Sequence, residues 1–306
     1  MDDEAVAAID CGTNSIRLLI SAGGTDIARR MRIVRLGQGV DRTGRLDPAA
    51  IERTRVALEE YKGLIDAHGV SRIRMVATSA TRDASNASDF HEMVLATLGR
   101  PAEVISGDEE ASLSFSGAVQ DLSPGTQYLV VDIGGGSTEF VRGTDSTVAR
   151  SLSTDIGCVR MTERHLHSDP PTRGEIEAAV RDIDEAVARG LSHVDGSGAP
   201  LVGLAGSVTT VAALALGLER YDAQRIHHSV LSTPDVERVF ERLSTLDHEA
   251  RAAIPVIHPG RVDVIIAGAL ILRQILRARE ALNGDAAEVI VSEHDILDGI
   301  AASIGE

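Results

Sequence analysis

Two short segments of this chain carry nearly the same set of chemically useful residues. Residues 7–20 read AAIDCGTNSIRLLI and residues 129–142 read LVVDIGGGSTEFVR. Each is an apolar run that ends in Asp, turns on Gly and continues through Ser. Asp10 matches Asp132, Gly12 matches Gly134 and Ser15 matches Ser137, at a constant offset of 122 residues (132 against 10). A strand that ends in Asp and turns sharply on Gly presents backbone N–H groups, which suit an anion, beside a carboxylate, which suits a cation. Two such turns, one per half, predict a phosphate–metal site clamped between two related domains.

The second turn is the stronger signal. Gly134, Gly135 and Gly136 in succession cost conformational order, so they need a reason such as close approach of a ligand. Asp132 and Glu139 could then face one site. The alternative is a hairpin with Gly at positive φ. Asp10–Ser15 taken alone is equally an ordinary tight turn. A third turn, Gly203-Leu-Ala-Gly206-Ser207-Val-Thr-Thr210, could cradle another phosphate with Gly206 and Ser207, or simply start a helix. Thr78-Ser-Ala-Thr-Arg82 gathers hydroxyls beside one Arg. Arg82 could hold a terminal phosphoryl group and offset its charge in the transition state. Gly107-Asp-Glu-Glu110 precedes a helical stretch, where carboxylates commonly serve the helix dipole.

The elements that must position these groups alternate between strand and helix. Strands are expected at AVAAID, SIRLLIS and Met31–Leu36. A helix is expected over Pro48–His68, capped by Asp47, with Ile51, Val56, Leu58 and Ile65 on its apolar side. Then come a strand at Ile73–Ala77, a loop TSATRDASN, a helix to Leu98 capped by Asn86 or Ser88, and the strand AEVI. The second half predicts a helix over Arg173–Val194 capped by Thr172, a strand Pro200–Ala205, and a helix Thr209–Leu216. Further helices are expected near Pro234–Leu243, Asp247–Ala253 and Val262–Leu282, then a strand Glu288–Val291 and a helix Asp295–Ile304. This is an α/β pattern. Asp121–Gly125 (DLSPG) marks the boundary, giving domains at 1–121 plus about 294–306 and at 122–293.

Bulk properties narrow the function. A chain of 306 residues, 43% hydrophobic and 25% charged, has room for two globular cores. Only 2% of residues are aromatic and the net charge is −16, which argues against a nucleic-acid or membrane-surface binder. Eight Arg lie between Arg29 and Arg55, a patch suited to a polyanion. Lys62 is the one Lys in the chain, so Arg is also its default cation. Cys11 and Cys158 show no disulfide or metal spacing, and the acidic MDDEAVAAID start lacks the features of a signal peptide, so a cytoplasmic protein is expected. The run Val262–Leu272 is too short to span a bilayer.

AAIDCGTNSIRLLI, ATSATRDASN, ISGDEEASLSFSG, VVDIGGGSTEFV and GLAGSVTTVAAL resemble, in order and spacing, the exopolyphosphatase / guanosine pentaphosphate phosphatase (Ppx/GppA) family. The likeness is to its short members, without extra C-terminal helical domains. It implies two actin-like, sugar-kinase-like (ribonuclease-H-like) domains with the active site in the cleft between them. It implies Glu110 as general base toward the attacking water and Arg82 on the scissile phosphoryl group. Asp132 and Glu139 would hold a divalent metal, Mg²⁺ or Mn²⁺, or help order the water, with Asp10 joining the metal site. Gly134, Gly135, Gly136 and Ser137 would cradle phosphate from one wall, and Asn14 and Ser15 from the other. The implied reaction removes the terminal phosphate of inorganic polyphosphate, or the 5′-phosphate of guanosine pentaphosphate at the same site. A homodimer, with no nucleic-acid or membrane partner, is expected.

One departure from the family stands near the C-terminus. The usual V-S-x-x-G-L-R-E-G reads Val291-Ser-Glu-His-Asp-Ile-Leu-Asp-Gly299, so Leu297 replaces an Arg. Glu293, His294 and Asp295 group metal-binding residue types at a helix start, where cap and surface roles also account for them. Two rivals come from other classes. A sugar or acetate kinase would need an acceptor signature, and none is visible. A non-catalytic polyphosphate or alarmone sensor would bind without turnover.

Overall fold

The computed structural model describes residues 4–305. The chain divides into two compact units. One runs to Gly117 and resumes at Ile296; the other spans Ala118–Asp295.

The first unit opens with an antiparallel meander of β1 (Val6–Cys11), β2 (Ser15–Ala22) and β3 (Thr25–Ile33). After the short helix α1 (Val40–Thr43) and the long α2 (Pro48–Ala67), β4 (Arg72–Ala77) returns parallel to β1. Then follow α3 (Ser79–Asp83), α4 (Ala87–Leu98), the two-residue β5 (Glu103–Val104) and α5 (Gly107–Val119). The sheet order is β3-β2-β1-β4-β5. β1 is buried along its whole length, as a central strand covered on both faces must be. Its side chains alternate between two cores. Ala7, Ile9 and Cys11 join Leu58, Tyr61 and Phe90 of α2 and α4, while Val6 and Ala8 join another cluster with Leu113 and Leu297.

The second unit repeats the plan. β6 (Gln127–Ile133), β7 (Thr138–Thr144) and β8 (Thr147–Thr154) form another antiparallel meander. Helices α6 (Cys158–His165) and α7 (Arg173–Val194) lead to β9 (Leu201–Leu204), which pairs parallel to β6 as β4 pairs to β1. α8 (Ala205–Ala215), α9 (Ala223–Ile226), β10 (Val230–Ser232), α10 (Thr233–Thr245), α11 (His248–Ala252), α12 (Ile265–Asn283) and β11 (Glu288–Val291) complete it. Its order is β10-β11-β9-β6-β7-β8. α13 (Ile296–Gly305) then rejoins the first unit. The unit boundary falls at Gly117/Ala118, inside α5, rather than in the DLSPG turn just beyond it. No helix among the described residues is long and apolar enough to cross a membrane.

Local chemistry explains the helices that were legible. Asp47 accepts from the Ala49 N–H at 2.7 Å with Pro48 at the first position of α2. Thr172 and Glu175 form a reciprocal capping box on α7. The buried face of α2 differs from the expected one. Ala50, Thr54, Ala57, Leu58, Tyr61 and Ile65 face inward, whereas Val56 is 45% exposed, because the small residues let the helix sit close on the sheet.

Other expectations are corrected. The strand expected at Met31–Leu36 is β3 and ends at Ile33, because the N–H groups of Val34 and Arg35 turn to the Asn14 carbonyl. TSATRDASN is not all loop: α3 occupies Ser79–Asp83. Asn86 sits at the α4 cap position, but its side chain bonds Leu46 and Asp89 instead. α8 begins at Ala205, four residues before the expected start, so Gly206 and Ser207 lie in its first turn. Leu297 is fully buried among apolar side chains, while its neighbour Asp298 bonds Arg29 at 3.3 Å.

Candidate active site

In the first unit, the β1–β2 turn closes with the Gly12 N–H donating to the Ser15 carbonyl at 3.0 Å. The loop after β3 packs beneath it: the Gly37 N–H donates to the Thr13 carbonyl at 2.8 Å. A Cβ on Gly37 would meet the Thr13 side chain at 2.3 Å. The Thr13 and Ser79 hydroxyls share a 2.9 Å hydrogen bond, which ties the turn to α3. The Asn14 amide oxygen is buried with no hydrogen-bond partner among the described residues, an acceptor available to a ligand donor or a cation. Asp10, at the end of β1, is buried and held by Arg17 across the sheet. The Arg17 Nε and Nη2 donate to Oδ2 at 3.0 and 2.6 Å.

Arg82, on α3, and Glu110, in the first turn of α5, meet although 28 positions separate them. The Arg82 Nη1 donates to the Glu110 Oε2 at 3.1 Å and to the Ile105 carbonyl at 2.9 Å. Glu110 is buried and Arg82 is partly open. Glu109, its neighbour in sequence, points elsewhere and pairs with Arg74 at 2.6 Å. The helix spacing that places Glu110 inward puts Glu109 on the surface.

In the second unit, the β6–β7 turn closes with the same bond as the first: the Gly134 N–H donates to the Ser137 carbonyl at 3.0 Å. None of the three glycines here takes a positive φ, so the turn is not the hairpin with Gly at positive φ. A Cβ on Gly157 would stand 2.4 Å from the Gly135 carbonyl carbon and oxygen. The first turn of α6 lies on the glycines and takes up their carbonyls. The Cys158 N–H donates to Gly134 at 2.9 Å, the Val159 N–H to Gly135 at 2.9 Å, and the Arg160 Nε to Gly136 at 2.7 Å. With the carbonyls bound inside the protein, the N–H side of the turn is left for an anion. No signal used in the sequence reading pointed to Gly157 or Arg160. A Gly placed just before a helix was the available hint.

Asp132 and Glu139 are direct cross-strand partners on β6 and β7, so their side chains share one face. Both are buried. Ser153, opposite Glu139 on β8, donates to its Oε1 at 2.7 Å. Two buried carboxylates with a hydroxyl are hard oxygen donors that suit Mg²⁺ or Mn²⁺.

The third turn differs. A Cβ on Gly206 would meet the Arg261 guanidinium at 2.2 Å, so Arg261 lies against the start of α8. Ser207 is packed beside Cys158 and against Gly268, where an added Cβ would meet its oxygen at 2.3 Å. Both cysteines are buried, and burial above all raises the thiol pKa of each, so neither is prepared as a nucleophile. Three of the eight arginines of the patch pair with carboxylates: Arg29 with Asp26 at 2.8 Å, Arg32 with Glu60 at 2.7 Å and Arg55 with Glu52 at 2.7 Å.

Repeated strand–Gly turn–strand units, a cross-strand carboxylate pair and an Arg–Glu pair mark a two-unit α/β protein of the phosphatase class named by the following comparisons. The profile of the Ppx/GppA phosphatase family matches residues 19–303, and the chain belongs to that family. It is 51% identical over 98% of both chains to a Mycobacterium tuberculosis protein named exopolyphosphatase 2. A solved structure described as an exopolyphosphatase-like protein superposes with a TM-score of 0.93 at 41% identity, over 99% of this chain and 98% of the other. The Aquifex aeolicus Ppx/GppA family member superposes with a TM-score of 0.80 at 34% identity, over 98% and 97%.

Proposed function

We propose that this chain is a divalent-metal-dependent exopolyphosphatase that removes the terminal phosphate of inorganic polyphosphate. The observation that carries this reading is the Arg82–Glu110 pair, which sets a buried carboxylate beside a phosphate-binding cation. The name of the Mycobacterium tuberculosis relative supports the substrate class.

Hydrolysis of a phosphoanhydride needs an aligned water, neutralised charge and a stable leaving phosphate. Glu110 accepts the proton of the attacking water through its carboxylate. The water oxygen bonds to the terminal phosphorus as the bridging P–O bond breaks, and the shortened chain leaves with that bridging oxygen. Arg82 holds the equatorial oxygens. The N–H groups of Gly135 and Gly136 and the Ser137 hydroxyl bind phosphate, as do Asn14 and Ser15 in the first unit. Gly206 and Ser207 are assigned a further phosphate contact at the start of α8. Asp132 and Glu139 would hold Mg²⁺ or Mn²⁺, with Ser153 fixing Glu139; the bound ion would supply charge neutralisation. Asp10 is a weaker ligand candidate, since Arg17 already neutralises it. Cytoplasmic location and a homodimer belong to the same reading, the latter checked by light scattering.

Phosphate release should be measured on polyphosphates of several lengths and on guanosine pentaphosphate, with Mg²⁺ and with a chelator. Metal-dependent release from polyphosphate is expected. Preferential release from guanosine pentaphosphate would reassign the substrate. Binding without release would favour a sensor.

A further inference from the structure

We propose that the second unit carries a separate site for one transition-metal ion of the zinc class, made by Asp121, His227 and His294. The three residues come from distant parts of the chain. Asp121 lies just after the chain enters this unit, His227 closes α9, and His294 lies just before the chain leaves it. One oxygen or ring nitrogen from each lies within 4.8 Å of the others.

The distances suit an ion. His294 Nδ1 stands 2.7 Å from the Asp121 Oδ2, and His227 Nε2 stands 3.7 Å from the same oxygen. Ligands about 2.1 Å from a tetrahedral Zn²⁺ lie about 3.4 Å apart, between these two values. Two imidazoles with one carboxylate select Zn²⁺ and its neighbours in the first transition row over Mg²⁺, which prefers all-oxygen sites. All three side chains are partly exposed, so an ion can reach them.

The surroundings hold the ligands in place. The Ser292 hydroxyl donates to the His294 carbonyl at 2.7 Å and accepts from the His294 N–H at 3.1 Å. His228 stacks on His227 with ring centres 3.7 Å apart, and its own N–H donates to the Val291 carbonyl at 2.7 Å. Two rearrangements are required. The His294 Nδ1 gives up its proton and its hydrogen bond to Asp121 as the ion opens that 2.7 Å contact. The His227 Nδ1 accepts the Glu293 N–H at 3.2 Å, which puts the ring proton on Nε2. Ligation through Nε2 moves that proton to Nδ1 and gives up this long bond, at a cost of about tenfold in affinity. Gln120, 3.1 Å from the His294 Nδ1, is exposed and can swing aside. The bound ion would tie the entering and leaving segments of the unit to the His227–His228 turn.

The test uses the full chain, stripped with chelator and free of polyphosphate. Titration with Zn²⁺ by calorimetry, and with Co²⁺ by visible absorption, should give one saturable ion per chain that millimolar Mg²⁺ does not displace. His227→Gln, His294→Gln and Asp121→Asn should each weaken it by about tenfold or more. Mg²⁺-dependent phosphate release by His294→Gln should match the parent, which separates this site from the Asp132–Glu139 pair. Absence of Co²⁺ absorption in the parent would overturn the proposal, as would undiminished binding in His294→Gln. That single change falls on a partly exposed side chain, and a melting curve like the parent's checks that the variant is folded.

Discussion

Asp132 stands directly opposite Glu139 across the β6–β7 hairpin, at the register where Asp10 stands opposite Arg17 across β1–β2. The two hairpins share a backbone plan and the same closing Gly-to-Ser hydrogen bond. They differ in charge at one position. In the first unit the pair is an ion pair, in the second a pair of like charges. Like charges at one buried position favour a cation, whereas the ion pair is already neutral.

From this follows a test of the Asp132–Glu139 pair as the place that holds the ion. Glu139→Gln should shrink the rise in Tm that Mg²⁺ gives the parent, because one ligand oxygen charge is lost. It should also abolish metal-dependent phosphate release. Scanning fluorimetry with and without Mg²⁺ checks the first. A Mg²⁺-induced rise in Tm equal to the parent's would show that Glu139 does not hold the ion.

Glu110→Ala should lower phosphate release by about 10²–10⁴-fold, the range for a lost general base. Arg82→Lys should also fall well below the parent, since a point charge cannot reproduce the fork that reaches Glu110 and the Ile105 carbonyl together. Steady-state assays on purified variants read both. Parent-like activity in Glu110→Ala would end its assignment as base.

Gly157→Ala tests the close contact behind the glycine turn. Its Cβ would fall 2.4 Å from the Gly135 backbone, so the turn must shift, with destabilisation of about 1–3 kcal/mol and a loss of activity. Gly174→Ala, in α7 with nothing near the added Cβ, is the control and should keep both stability and activity.

The Glu175 carboxyl is held down to about 2, first by the Thr172 N–H and then by the Thr172 hydroxyl and the N–H groups of His167 and Ser168. A depressed folded pKa adds stability above the ordinary value of about 4.5, which is lost as pH falls through 4.5 toward 2. Glu175→Gln should therefore have a lower Tm than the parent at pH 7, and the gap should close between pH 4.5 and pH 2. A gap that stayed constant with pH would show that the carboxylate charge is not what caps α7.

The sequence by itself determined the repeat, the α/β alternation and the strong helix ends, because these depend on neighbours a few residues apart. Asp47 before Pro48 and Thr172 before Glu175 cap their helices through local hydrogen bonds, whatever lies beyond. It also singled out Asp132 and Glu139, whose spacing across a short turn forces them to face each other. Tertiary structure decided what depends on distant partners. Arg82 met Glu110 rather than Glu109 because α5 turns only one of the two inward. Within the arginine patch, the Arg32–Glu60 pair joins β3 to α2 across 28 positions, which no local pattern reveals. Gly157 beneath the triple glycine, and His227 beside Asp121 and His294, are contacts between segments far apart in the chain. Spacing along a chain fixes such contacts only when a turn is short; over longer loops, packing of each sheet against its own helices chooses the partners.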